Sequence, residues 1–498
     1  MNILPLFILI PVGTAFLLSV MDTAKDDKRL KLLLNWITAL TCLVLTVMAG
    51  FLIAKSGVFE AGGWVAPIGI VLVLDGFSAP VLLVTNLISL MCVIFSFNYM
   101  DMYSKREKFY SLFLLMLAGM NGVVLTGDIF NLYVFMELAA VSSFALVAYG
   151  TMKNDLEAAF KYLVLSGVST TFILMGIALT YGHTRNLNMA FIYEILSETS
   201  TPAGMYLAAG FFISGFAIKA ALIPFHAWLP DAHPAAPAPV SAMLSGVLIK
   251  TAGIYALLRV MFTVFASDMA TVGMILRNFG ALSIIAGALL ALGQWDFKRL
   301  LAYHSISQMG YIALAFGIST PLGIAAGLFH LLNHSVFKSL LFLNAGAVFY
   351  RTSTRDLRRM GGLNKVMPVN GYTSMAASLS IAGLPPFSGF WSKLLIIIAA
   401  IQAGYLWMAI WAVIGSILTL SSFAKVQKYA FMGEVKEKFL KIKKLSLSMA
   451  APMVFLAFLC LVMGLLLLPG IRETVLERAG DVLLMPYNYL SLIPEAGL

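Results

Sequence analysis

Residues 204–250, GMYLAAGFFISGFAIKAALIPFHAWLPDAHPAAPAPVSAMLSGVLIK, decide what kind of chain this is. An apolar helix carries one lysine, Lys219, and is interrupted at Ile223-Pro224-Phe225-His226 before it ends at Trp228-Leu229-Pro230-Asp231. A proline-rich link (Pro234, Pro237, Pro239) leads into a second apolar helix with its own lysine, Lys250. An ammonium group at membrane depth carries a desolvation cost that a purely structural helix has no reason to bear, so it points to function. Pro224 lacks a backbone N–H and splits the helix. Such broken spans persist in a bilayer only when buried in protein or lining a water-filled cavity.

The chain around this stretch has 498 residues, 60% hydrophobic and 11% charged, a balance that excludes a soluble globular domain. Membrane-length apolar runs recur from end to end. The expected fold class is an all-α polytopic membrane protein of about fourteen transmembrane helices. Their limits lie near 2–21, 31–54, 68–98, 109–126, 129–150, 157–182, 203–229, 239–263, 270–293, 300–318, 321–349, 368–401, 404–431 and 446–469. Loops after odd-numbered spans hold Lys25, Lys28, Arg29 and Lys31; Lys105, Arg106 and Lys108; Lys153; and Lys298 and Arg299. Further on they hold Arg351, Arg355, Arg358, Arg359 and Lys365, then the Lys425–Lys444 group. The opposite loops have only Lys55, Arg185, Arg472 and Arg478. That asymmetry places the odd loops in the cytoplasm and both termini outside. The formal charge of +10 therefore reflects membrane orientation, not nucleic-acid binding. Met1-Asn2-Ile3-Leu4 shows no basic leader or cleavage site, so the first span is expected to be retained.

Few basic residues remain inside spans: Lys161, Lys219, Lys250, Arg259, Arg277, Lys338 and Lys393. Arg259 and Arg277 lie near helix ends, where long side chains can snorkel. Lys161 sits close to its helix start and is ambiguous. Glu137 is the one acid well inside a span, whereas Asp75, Asp128, Asp231 and Asp296 read as helix-end residues. A lone carboxylate among buried ammonium groups invites pairing, because an unpaired charge in a dry site tends to neutralise. A Glu137–Lys219 pair would act either as a switch, shedding a proton when opened, or as a static packing contact. Lys250 and Lys393 are further stations or snorkelling charges; His226, beside the break at Pro224, is a candidate gate. His183 and His233 read as loop histidines.

His330, His334 and Lys338 recur four residues apart, which keeps them on one helical stripe at roughly 6 Å per step. Such a stripe can hold water and relay protons. Hydrogen-bonding core histidines and a His-x-x-x-His metal site are the alternatives, but Lys338 would repel a cation and no third ligand stands nearby. No metal is expected. Cys42, Cys92 and Cys460 sit singly in apolar runs and suit core packing. Phosphate loops, dinucleotide fingerprints and cysteine clusters do not occur, so neither a cofactor nor a catalytic redox centre is expected in this chain.

A faint repeat is visible. Ile223-Pro-Phe-His-Ala-Trp228 is echoed by Pro385-Pro386-Phe-Ser-Gly-Phe-Trp391, with Lys219 before one break and Lys393 after the other. Asp128, opening the Glu137 helix, is echoed by Asp296, opening the His304 helix. An offset of about five helices reverses direction in the membrane, as in inverted-repeat transporters.

At Phe135-Met-Glu137-Leu-Ala139, Lys219 through His233, Pro239 through Lys250, Phe329 through Lys338 and Gly383 through Lys393, the chain resembles a known family. This is the antiporter-like proton-conducting group. It comprises the L-, M- and N-type membrane subunits of respiratory complex I, the A and D subunits of Mrp cation/proton antiporters, and homologues in membrane-bound hydrogenases. The resemblance covers about residues 70 to 430. It implies two inverted five-helix repeats with broken seventh and twelfth helices, and a Glu–Lys–Lys–His–Lys path along a hydrated axis. The divisions expected are 1–108 (three leading helices), 109–264 and 265–431 (the repeats) and 432–498 (last helix and tail). Gly62-Gly63-Trp64 and Gly127-Asp128-Ile-Phe resemble Mrp D-type subunits, while the complex I M type usually has Glu where Lys393 stands. The expected function is a proton-translocating subunit that sits in lipid with other membrane subunits, sodium being an open second ion. A redox-driven complex (membrane-bound hydrogenase, formate hydrogenlyase or NADH-quinone oxidoreductase), a stand-alone solute transporter and a passive scaffold are the alternatives.

Overall fold

A computed structural model describes residues 2–21, 28–198 and 202–493; Lys25, in the first basic loop, lies outside them. Helices dominate, and among the described residues nine are long and apolar enough to cross a membrane unbroken. Leu6–Ser19, Ala203–Lys219 and Ser388–Gln402 are shorter apolar helices. The protein is a polytopic helical membrane protein. Phe16, Trp36, Phe160, Tyr206 and Trp407 are exposed on its outside, the side that lipid or neighbouring apolar subunits must cover.

Two helices form the centre. Every residue of Ala238–Thr263 is buried, and so is the long run 323–348 within Pro321–Thr352. Both carry lysines. Both pack against Phe297–Gly317, and Pro321–Thr352 also packs against Pro368–Ala382 and Ser388–Gln402.

The expected span 68–98 is shorter than it read. Val71–Leu74 is a strand, antiparallel to Gly57–Glu60 with Gly57 opposite Leu74. The helix begins only at Ser78, where Asp75 Oδ1 accepts from the backbone N–H of Phe77 (2.9 Å) and Ser78 (2.8 Å) and so fixes its start. A four-residue run of Val and Leu suits a strand as well as a helix, and periodicity cannot separate them.

Two hydrogen-bonded crossings tie helix starts to distant chain. Ile129 N–H donates to Leu187 O and Met189 N–H to Gly127 O, both 2.9 Å. Phe297 N–H likewise donates to Arg355 O (2.9 Å) and Leu357 N–H to Trp295 O (3.0 Å). The bridged pairs are Asp128–Asn188 and Asp296–Asp356, 168 residues apart at both ends. In each pair the first aspartate caps its helix, Asp128 accepting from Asn131 N–H and Asp296 from Arg299 N–H.

Candidate functional site

The helix bearing Lys219 ends on that residue. The chain runs non-helically through Pro224 and His226 and re-enters a short helix at Leu229–Ala235, so the break is wider than Pro224 alone. Freed polar groups are taken up locally: Trp228 Nε1 donates to Ile218 O (2.8 Å) and Ile223 N–H to Ser283 Oγ (2.9 Å), as helix ends require. Trp228 stacks on Tyr162 at 4.3 Å.

Lys219 Nζ donates to Ser166 Oγ at 2.5 Å and stands 3.6 Å from Glu137 Oε1. The expected neighbours are thus brought together. Their environments differ, because the lysine side chain is 5% exposed and the glutamate 34%. The Glu137 helix, Ile129–Val147, lies at the periphery with Val134 and Val141 exposed, so its carboxylate is less enclosed than the sequence suggested.

Lys250 is buried within a stretch, Leu244–Tyr255, wound with wider π-type turns. Its ammonium curls back to Ser245 O (2.7 Å) and Gly246 O (2.8 Å). Enclosed on all sides, it does not snorkel to lipid. π-Turns inside α-helices often mark functional positions.

The His330 and His334 rings are 6.4 Å apart and nearly parallel, at 12°, close to the spacing expected of one stripe. His330 is held by Ser392 Oγ (2.9 Å) and Gln308 Oε1 (3.2 Å); both His334 nitrogens lack a protein partner. Lys338 Nζ donates to Leu301 O and lies 5.6 Å from the Phe342 ring centre.

At the second break, Pro368–Ala382 stops at Gly383 and the chain passes Pro385 and Pro386 before Ser388–Gln402 begins. Lys393 Nζ reaches back to Ile381 O (2.8 Å) and sits 4.6 Å over Tyr311. Gly383 has φ +81°, and a Cβ there would come within 3.0 Å of Lys393 Cδ. Glycine alone fits both the backbone and the passing side chain.

Other expectations need correction. Arg259 does not snorkel. It is buried against Asp75, with Nη1–Oδ2 2.8 Å and Nη2–Oδ1 2.9 Å, among the rings of Phe77, Tyr255 and Tyr489. Arg277 donates to Gly317 O (2.5 Å) and covers Tyr405 at 4.0 Å. Lys161 is exposed and pairs with Glu157 (2.8 Å) and Asp231 (3.1 Å). His183 is exposed at a helix end, but His233 is fully buried and not a loop residue. Lys298, read as a cytoplasmic loop charge, is 3% exposed. Sequence reasoning also passed over His304, fully buried with both nitrogens unpartnered, and Ser166, Gln308 and Ser392. A histidine inside an apolar run was a usable signal for His304. The serines and Gln308 offered none, since only the fold brings them to their partners.

Residues 126–419 match the family model described as NADH:quinone oxidoreductase/Mrp antiporter, TM, and residues 62–110 match NADH-Ubiquinone oxidoreductase (complex I), chain 5 N-terminus. The chain belongs to this antiporter family. Glu137, Lys219, Lys250, His330, His334, Lys338 and Lys393 all lie within the first match. A family relative, the D subunit of the Na(+)/H(+) antiporter of Alkalihalophilus pseudofirmus, is 36% identical over 443 residues, 88% of each chain. Among solved structures, a chain of the Mrp complex from Dietzia sp. DQ12-45-1b superposes with TM-score 0.90 at 30% identity, covering 99% of both chains. One from the membrane-bound sulfane sulfur reductase, an archaeal respiratory membrane complex, gives 0.89 at 32% identity over 99% of this chain and 100% of that one.

Proposed function

We propose that this chain is the proton-translocating subunit of a multisubunit membrane complex, of the Mrp Na+/H+ antiporter D type. Its path runs from Lys219, set by Glu137, past Lys250 and the His330–His334–Lys338 stripe to Lys393, with His226, Pro224, Pro385 and Pro386 shaping the two gates. The observation that carries this is the Lys219 ammonium, enclosed at the end of a broken helix with Glu137 3.6 Å away and Ser166 at 2.5 Å. A proton on such a group is favoured by one carboxylate whose contact can open, the element a switch needs. Moving one charge against 100 mV requires about 2.3 kcal/mol, within the range of a partly buried ion-pair contact.

The finer architecture belongs to the same reading: fourteen spans, termini outside, and inverted repeats over 109–264 and 265–431. The 168-residue step between the Asp128–Asn188 and Asp296–Asp356 crossings supports it. So does the same step between the left-handed residues Thr151 and Ser319, and between Arg185 and Ser353. The equal likeness to the sulfane sulfur reductase chain favours a second reading, the same path driven by a redox partner.

Membrane vesicles holding the whole complex and a pH-sensitive dye test both. Sodium-driven proton movement abolished by Lys219→Ala supports the antiporter reading. Movement only on adding a reductant or electron acceptor supports the second. No proton movement in either case sinks both.

A further inference from the structure

Beyond the axis just described, an open cleft of about 450 Å³ lies on the face bearing Arg299 and Arg355. Its walls carry four carboxylates, Asp155, Glu157, Asp231 and Asp296, against three cations. Those cations are already engaged. Lys161 holds Glu157 and Asp231, Arg299 stands 3.6 Å from Asp231, and Arg355 lies 3.3 Å from Asp296.

Lys298 lies behind the floor, 3% exposed, donating to Ala236 O (2.7 Å) and Ser241 Oγ (3.2 Å). Asp296 and Asp155 act on it electrostatically, yet no carboxylate lies within ion-pair distance among the described residues. His233 is next inward. It shares the short helix Leu229–Ala235 with the floor residues Pro230, Asp231 and Pro234 but is fully buried. Its ring sits between Trp228 and Phe342, 5.9 Å from each, and Phe342 is the ring that Lys338 covers. Lys338, Lys250 and Lys298 are the cations within electrostatic reach of that ring. His304 and His334 also lie within reach of Lys338. All six nitrogens of these three buried histidines lack a protein partner. Buried polar groups are rarely left bare, and a polar enclosure of this kind takes in water.

We propose that the cleft is a second proton entrance, delivering protons through Lys298 and His233 to Lys338 in a cycle that also requires the Glu137–Lys219 pair to switch. Each hop returns the donor's lone pair as the acceptor's takes the proton, so the groups end in their starting states. This rests on the reading of the chain as a proton-translocating subunit.

Accessibility tests the route without relying on transport. In the assembled complex with Cys42, Cys92 and Cys460 replaced by serine, Asn154→Cys marks the cleft side and Leu117→Cys an apolar interior position. A hydrophilic, membrane-impermeant methanethiosulfonate added on the side that labels Asn154→Cys is expected to label His233→Cys, but not Leu117→Cys. Should His233→Cys fail to assemble, Ser241→Cys replaces it. No labelling at either site overturns the entrance.

Proton flux supplies the second arm. Lys298→Met is expected to lower it by roughly 10²-fold, the low end of what a positioned proton-transfer group contributes. Lys298→Arg should lose as much, because a guanidinium keeps the charge but does not release its proton. Full flux in Lys298→Arg would show a merely electrostatic role and overturn the relay. If Lys219→Ala also leaves flux unchanged, the proton-translocating reading has failed, and labelling still decides the entrance.

Discussion

The ammonium of Lys219 meets a carboxylate at 3.6 Å and a hydroxyl at 2.5 Å. That of Lys338 meets the carbonyl of Leu301 and, among the described residues, no acid within ion-pair distance; the buried His233, His304 and His334 lie within its electrostatic reach instead. The 168-residue step relating Asp128 to Asp296 sets Ser305 opposite Glu137 and His334 opposite Ser166. Where the first half sets an acid and a hydroxyl on Lys219, the second half carries a hydroxyl, paired with Ser245 at 2.7 Å, and an imidazole without a protein partner. A paired charge is governed by opening one contact, while an acid-free one depends on the polarity and water of its enclosure. Two different controls can thus be built on one architecture.

The Asp75–Arg259 pair gives the scale for an ion pair that only holds structure, its side chains being 1% and 3% exposed. Asp75→Asn should cost about 3–5 kcal/mol by stranding the guanidinium, read as a lower unfolding temperature in detergent, with residual folded protein still moving protons. If Asp75→Asn instead abolishes proton movement in stable protein, the division between structural and functional pairs is wrong.

Lys338→Met sharpens the contrast next. It strands no counter-ion, so thermal stability should stay near the parent's while proton flux falls to the leak level. A large stability loss would mean that an acid-free enclosure is not what holds Lys338. Ser166→Ala removes a hydrogen bond to a charged group, worth about 1.5–3 kcal/mol, and should slow flux by roughly tenfold or more. The smallest effect is expected from Gln308→Leu, which removes one neutral partner of His330, worth about 0.5–1.5 kcal/mol. A few-fold fall in flux is the expected reading.

Much of this could be read before any coordinates. Pro224 and Pro385-Pro386 marked both breaks, because a residue without an N–H interrupts a helix wherever it lies. The four-residue spacing of His330, His334 and Lys338 fixed their common stripe for the same local reason. What stayed hidden depended on tertiary contact. Hydropathy averages over neighbours, so Lys298, beside Asp296 and Arg299, read as loop, although the fold turns it inward and leaves Arg299 partly exposed. His233 was lost among prolines in the same way. Arg259 read as a snorkelling residue because its partner Asp75 is 184 residues away in sequence. The wide turns around Lys250 have no signature in residue type at all.

The most direct measurement is a double-mutant cycle on proton movement by the assembled complex in vesicles, using Glu137→Ala, Lys219→Ala and the combined variant. If the two side chains act as one unit, either change alone brings flux to the leak level and the combination goes no lower. An assembled complex that moves protons at the parent rate with either residue replaced would contradict a path that begins at this pair.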